Sequence, residues 1–200
     1  MVIGILALNV TSTYAKKKPT IPKIEWANAN ASVIKFRNGD TILYANSTAS
    51  WQQACATKQA AYCKYENNDS LGNTIGFLYN WYAISDPRIL APKGWRIPNE
   101  LDWKTYETQI NKTSDSMNQT DSTQWHQANI FDKKALNFQY GGDRSHKGEF
   151  NNLGQHMAWW SIDAPTGNSW SAHGFGWYSG VDTDESNGKC VGLYVRFIRE

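Results

Sequence analysis

Asp143, His146, Glu149 and His156 bring two carboxylates and two imidazoles into one short stretch, the residue types that general acid–base hydrolysis uses. Hydrolysis also requires that they meet in space. His146 and Glu149 stand three residues apart, a spacing that aligns side chains only on a helix, and glycines at 141, 142, 148 and 154 argue against a helix there. The stretch reads as a solvated, glycine-rich loop. A second set, Asp182, Asp184 and Glu185, offers the hard oxygen ligands that calcium takes, although an acidic surface loop accounts for the same residues. The third set is aromatic. Trp and Tyr present a flat apolar face with a polar edge, suited to stacking on sugar rings or anchoring a protein partner. Trp125, Trp170, Trp177 and Tyr178, with His173, fall in polar or glycine-punctuated stretches where loops carry binding residues, and these five are the candidate ligand contacts.

Three cysteines, Cys55, Cys63 and Cys190, leave an odd thiol if two pair. Cys55 and Cys63 are close enough in sequence to bridge across a turn and are the candidate disulfide, while all three pairings stay open. No CxxC pair occurs, and His126, His146, His156 and His173 lack ligand spacing, so neither a metal centre nor a cofactor is expected.

The elements that would position these groups belong to one domain, the number expected of 200 residues. Aromatic residues make up 14% of the chain and charged residues only 19%, so large rings and Asn, Ser, Thr and Gln take the place of a charged surface. That balance suits an extracytoplasmic protein, secreted or at the cell surface. A net charge of +2, with Lys16 to Lys18 the one basic cluster, does not point to nucleic acid. Val2 to Val10 is mostly apolar and Thr13-Tyr14-Ala15 ends in small residues, so residues 1–15 are expected to be a cleaved leader, though no Lys or Arg precedes Lys16. The apolar run is shorter than the roughly 20 residues a bilayer requires, and no transmembrane segment is expected. Residues 16–32 then read as a linker or a first edge strand, and 33–200 as the domain.

Within the domain, Val33 to Phe36 and Thr41 to Tyr44 flank Asn38-Gly39, the dipeptide of a tight hairpin. Ser47 to Gln59 reads as a helix capped by Ser50, Ala61 to Tyr65 as a strand, Glu66 to Gly72 as a turn, and Ile75 to Ile84 as a core strand. Asn99 is placed to cap a second helix running to Asn111, with Leu101, Trp103, Tyr106 and Ile110 as its buried side. Lys112 to Asn129 forms a long polar excursion around Trp125. Val191, Leu193, Val195 and Phe197 alternate along the last strand, giving it one apolar face.

Several of these pieces, in this order, resemble the Fibrobacter succinogenes major paralogous domain, or FISUMP, family of secreted bacterial proteins. The likeness runs from about Val33 to Glu200. It is carried by FRNGD at Phe36 to Asp40, AYCKY at Ala61 to Tyr65, the long run GFLYNWYAISDPRILAPKGWRIPNELDW from Gly76, GGDR at Gly141 to Arg144, GEF ending at Phe150, WWS at Trp159 to Ser161, and the terminal YVRFIRE. The WRIPNELDW piece is also similar, more distantly, to the RLPTEAEW element of formylglycine-generating enzymes, whose fold is C-type-lectin-like.

The resemblance implies an α+β, C-type-lectin-like mixed domain with two main helices, short antiparallel strands and long loops. It makes Trp81, Trp95, Pro98, Trp103, Trp159, Trp160 and Arg196 structural signature positions. Many FISUMP members carry a cysteine just before the PxGW turn and another in the final strand; Ala91 and Phe197 stand there in this chain, a pair replaced as a unit by apolar residues. The distant enzymes imply a copper oxidase built on a C-terminal cysteine pair, where this chain has Cys190 alone. The calcium-dependent sugar binders of that fold imply EPN or WND elements, which are missing here. The expected function is therefore a non-catalytic binding module for a glycan or a surface protein, with a structural or display scaffold as the alternative and a metal-dependent oxidase behind both.

Overall fold

The computed structural model describes residues 24–103, 105–106, 139–163, 172–176 and 188–200. The signal and calcium expectations for residues 1–15 and for Asp182, Asp184 and Glu185 lie outside them, as does the 112–129 excursion. Helices and strands are mixed throughout, an α+β arrangement. The first unit is a parallel crossover: β1 (Leu43–Tyr44), helix α1 (Thr48–Ala56) and β2 (Ala61–Cys63), with Leu43 opposite Ala61 and Tyr44 opposite Tyr62. Parallel neighbours require such a crossover, and α1 supplies it. Ahead of it, Gly39 adopts a φ of 97° in the expected turn, where the Phe36 amide donates to the Asp40 carbonyl.

The cap of helix α1 lies three residues earlier than expected. Ser47 is the N-cap: its hydroxyl accepts from the Ser50 amide at 3.1 Å, and the Ser50 hydroxyl accepts from the Ser47 amide at 3.0 Å. The two serines form a reciprocal box, with Ser50 at its third helical position. Trp51 and Ala54 form the buried side.

Two further helices occupy stretches read as turn and strand. Asn68 accepts from the amides of Ser70 and Leu71 at 2.9 and 3.2 Å and so starts α2 (Asp69–Ile75) where a turn was expected. The core strand is only β3 (Leu78–Tyr79), paired antiparallel to β2, before Asn80 turns the chain into α3 (Trp81–Ile84). Buried Asn80 directs this switch. Its Oδ1 accepts from the Ala83 amide at 3.1 Å and the Ala61 amide at 3.0 Å, and its Nδ2 donates to the Gln59 carbonyl at 2.8 Å.

β4 (Trp95–Arg96) leads to α4, helical at 100–103 and 105–106. Asn99 caps it as the sequence indicates, accepting from the Asp102 amide at 2.8 Å while the Asp102 carboxylate accepts from the Asn99 amide at 2.8 Å. The buried side differs from expectation. Leu101 is 70% exposed, and Asp102 is buried with Trp103 and Tyr106, because the capping carboxylate is also clamped by Arg96 at 2.6 and 2.8 Å.

A four-stranded sheet follows in the order β6 (Phe150–Leu153), β5 (Gly141–Arg144), β7 (His156–Trp160), β8 (Ala172–Gly176). Gly142 sits at φ 71°, and a Cβ there would collide with the Asn151 carbonyl of β6.

The last segment joins all of these parts. Gly192 exchanges amide–carbonyl bonds with Arg144 of β5, Leu193 with Tyr79 of β3, and Tyr194 bonds to Ala158 and Trp160 of β7. Val195 and Phe197 accept from Ala31 and Ala27, and β9 (Ile198–Arg199) pairs antiparallel with β4. Residues 25–31, within the stretch read as a linker or a first edge strand, are thus bonded to the final segment. The alternation in this strand is real, but both faces are buried: Leu193, Val195 and Phe197 enter one core cluster, and Tyr194 enters a second with Trp51, Trp103 and Trp159.

Candidate functional site

Edge strand β8 is registered on β7 along its whole length, from His156 opposite Gly176 to Trp160 opposite Ala172. Its support is buried and hydrogen-bonded to other elements. Met157, Trp159 and Trp160 are buried, the Trp159 indole donates to Asn30 Oδ1 at 2.8 Å, and the Trp160 indole donates to the Tyr79 carbonyl at 2.7 Å. His173, a candidate ligand residue, has its backbone opposite Trp159. Trp125, Trp170, Trp177 and Tyr178 lie outside the described residues. Segment 164–171 enters β8 at Ala172 and segment 177–187 leaves it at Gly176, two points about 13 Å apart along the strand.

Of the acid–base residues, the fold brings Asp143 and His156 together and leaves His146 and Glu149 in the turn between β5 and β6. His156 Nδ1 lies 3.9 Å from Asp143 Oδ1, on which the Asn152 amide donates at 2.7 Å. Burial lifts the Asp143 carboxyl above its ordinary range, against the pull of Asn152 and His156. Burial likewise lowers the His156 imidazole, against the attraction of Asp143. Both shifts favour the uncharged forms. Among the described residues no three His, Cys, Asp or Glu side chains gather as metal ligands.

The signature positions are engaged with the scaffold. Trp81, Trp103, Trp159 and Trp160 are buried, and Trp81 meets Trp160 edge-on at 5.4 Å. Half-buried Trp95 lies under the Arg199 guanidinium at 4.4 Å, an arrangement favourable to the ring face. The Pro98 carbonyl accepts from the Ile162 amide at 2.9 Å, and buried Arg196 donates to the Ala27 carbonyl at 3.0 Å. Ala91 and Phe197, at the two positions where relatives carry cysteine, sit in the same apolar cluster.

The disulfide expectation is corrected. Cys55 of α1 is bonded to Cys190, with Cα atoms 5.4 Å apart, and Cys63 is a free, buried thiol. The chain does turn between Cys55 and Cys63, but β2 carries Cys63 into the second core cluster while Cys55 meets the start of the final segment. Burial pushes the Cys63 thiol up to about 11, with the Arg144 guanidinium drawing it back. Arg144 itself escaped the sequence reading except as part of GGDR. It is fully buried, donates to the carbonyls of Ala45 at 2.7 Å and Gly148 at 3.1 Å, and lies over the rings of Trp51 and Phe150.

A mixed domain in which short sheets are gathered by one C-terminal segment, with indoles filling its interior, is the setting of the sequence motifs. The model of the Fibrobacter succinogenes major domain matches residues 20–199. The chain belongs to that family. Neither the comparison with curated proteins nor that with solved structures gives a match. No helix among the described residues is long and apolar enough to cross a membrane.

Proposed function

We propose that this protein is a secreted or cell-surface, non-catalytic binding domain of C-type-lectin-like type, which presents segments 164–171 and 177–187 to a glycan or a surface protein. One observation carries this reading: β8, from whose ends both segments extend, is held in full register on a buried strand. Binding residues placed on such a support start from fixed points, which lowers the cost of ordering them around a ligand. The family tryptophans support it further, since Trp81, Trp103, Trp159 and Trp160 are consumed by the core, leaving Trp125, Trp170, Trp177 and Tyr178 as the rings to test for contact. Export is supported by the Cys55–Cys190 disulfide, a bond that persists in oxidising compartments. The oxidase alternative is weakened by the same bond, because a two-thiolate copper site needs Cys190 reduced and beside a second thiolate.

The full chain applied to a glycan array, and in parallel to intact cell-surface proteins, tests the reading. Trp170→Ala and Trp177→Ala should each reduce binding at least tenfold with unchanged thermal stability. Ligand binding that survives both substitutions would remove these segments from the site, and surface retention without any ligand would favour the display scaffold.

A further inference from the structure

The three cysteines pose a problem of choice before the domain is folded. Cys63 follows Cys55 by eight residues, whereas the native partner, Cys190, lies 135 residues away. Ring closure in a flexible chain falls as about the three-halves power of loop length, so unfolded Cys55 meets Cys63 roughly seventyfold more often than Cys190. In the native structure Cys190 stands at the start of the final segment, which bonds to β3, β5 and β7, and its carbonyl accepts from the Trp51 indole at 2.9 Å.

We propose that the chain first closes a non-native Cys55–Cys63 disulfide and reaches Cys55–Cys190 by thiol–disulfide exchange, so that a thiol–disulfide isomerase is a partner in its maturation. The first bond transfers two electrons and two protons from the thiols to a disulfide oxidant such as oxidised glutathione, which is released as two reduced thiols. In the second step the Cys190 thiolate attacks the Cys55 sulfur, the Cys55–Cys63 bond breaks, and Cys63 leaves as a thiolate that takes up a proton. No net oxidation occurs in this step. The folded state then blocks return, because Cys63 is shut into the core of β2 and desolvation keeps its thiol protonated at neutral pH.

The test is oxidative refolding of the reduced, urea-unfolded full chain in glutathione buffer, with thiols alkylated at intervals and disulfides mapped by mass spectrometry. Cys55–Cys63 should dominate the earliest samples and convert to Cys55–Cys190, several-fold faster with protein disulfide isomerase. Cys63→Ala should form the native bond directly, at a rate the isomerase does not change. The proposal is overturned if Cys55–Cys190 is the first and only disulfide trapped in the wild-type chain, or if the isomerase leaves the wild-type rate unchanged. Both of these readouts use the unsubstituted protein, so a folding defect in the variant would not shield the idea.

Discussion

At Asp143 two costs of burial meet, and their signs differ. The folded carboxyl titrates above its unfolded value of 3.8, so its charge is a burden that sets in as pH rises through that value and is complete above the raised folded value. His156 is lowered from 6.5, so the unfolded chain takes up a proton before the folded one, and stability falls as pH drops below 6.5. Asp143→Asn should therefore raise the melting temperature at pH 7 and leave it unchanged at pH 3, where the carboxyl is protonated in both states. It should also steepen the loss below pH 6.5, because protonated His156 would have no anion 3.9 Å away. Thermal melts from pH 3 to 8 read both effects, and equal destabilisation at every pH would contradict the assignment. Arg144 presents the opposite case, a buried cation held by carbonyls and ring faces. Arg144→Ala removes the donors to Ala45 and Gly148 and empties a packed site, a loss of about 3–5 kcal/mol in urea unfolding. Arg144→Lys should recover little of it, because an ammonium lacks the planar fork that reaches both carbonyls while lying over Trp51 and Phe150.

Among the elements, α4 depends on its first turn. Asn99→Ala removes the acceptor for the Asp102 amide and should cost about 1 kcal/mol, measured as a shift in the urea midpoint with unchanged slope. An unaltered midpoint would mean that the Arg96–Asp102 clamp holds the helix start alone. This cap was legible in the sequence because its chemistry is local, and the Asn38-Gly39 turn was legible for the same reason. The short helices were not. α2 and α3 contain too few residues for apolar periodicity to speak, and each depends on an asparagine whose role as a cap is visible only once its acceptor is seen to be occupied. At Asn80 the same oxygen also ties the Ala61 amide, nineteen residues earlier, a tertiary bond that overrides the strand character of Ile75 to Ile84. The sequence offers a set of rings outside the family motifs as candidate contacts, and of that set the described residues include only the backbone of His173. What the sequence could not supply was the strand that carries their segments, because β8 is defined by its register on β7 rather than by its own five residues, Ala172 to Gly176.

At the scale of the whole molecule, the final segment bonds to residues 25–31, β3, β4, β5 and β7, so its release would deprive every sheet of a neighbour at once. The disulfide fastens this segment at its start, and it closes a loop of 135 residues, for which chain-entropy arguments give up to about 5 kcal/mol. A single domain has only about 5–15 kcal/mol in total. The double variant Cys55→Ala, Cys190→Ala should accordingly lose about 2–5 kcal/mol of unfolding free energy, and reduction with dithiothreitol should lower the wild-type urea midpoint but leave that of the variant unmoved. Hydrogen exchange gives the spatial counterpart. If the segment is the keystone, the amides of Leu193 and Tyr194 and those of their partners Tyr79 and Trp160 should lose protection together on reduction, by the same factor. Loss confined to Leu193 and Tyr194 would show instead that the sheets stand without the segment, and that the disulfide fastens a strap rather than the centre of the fold.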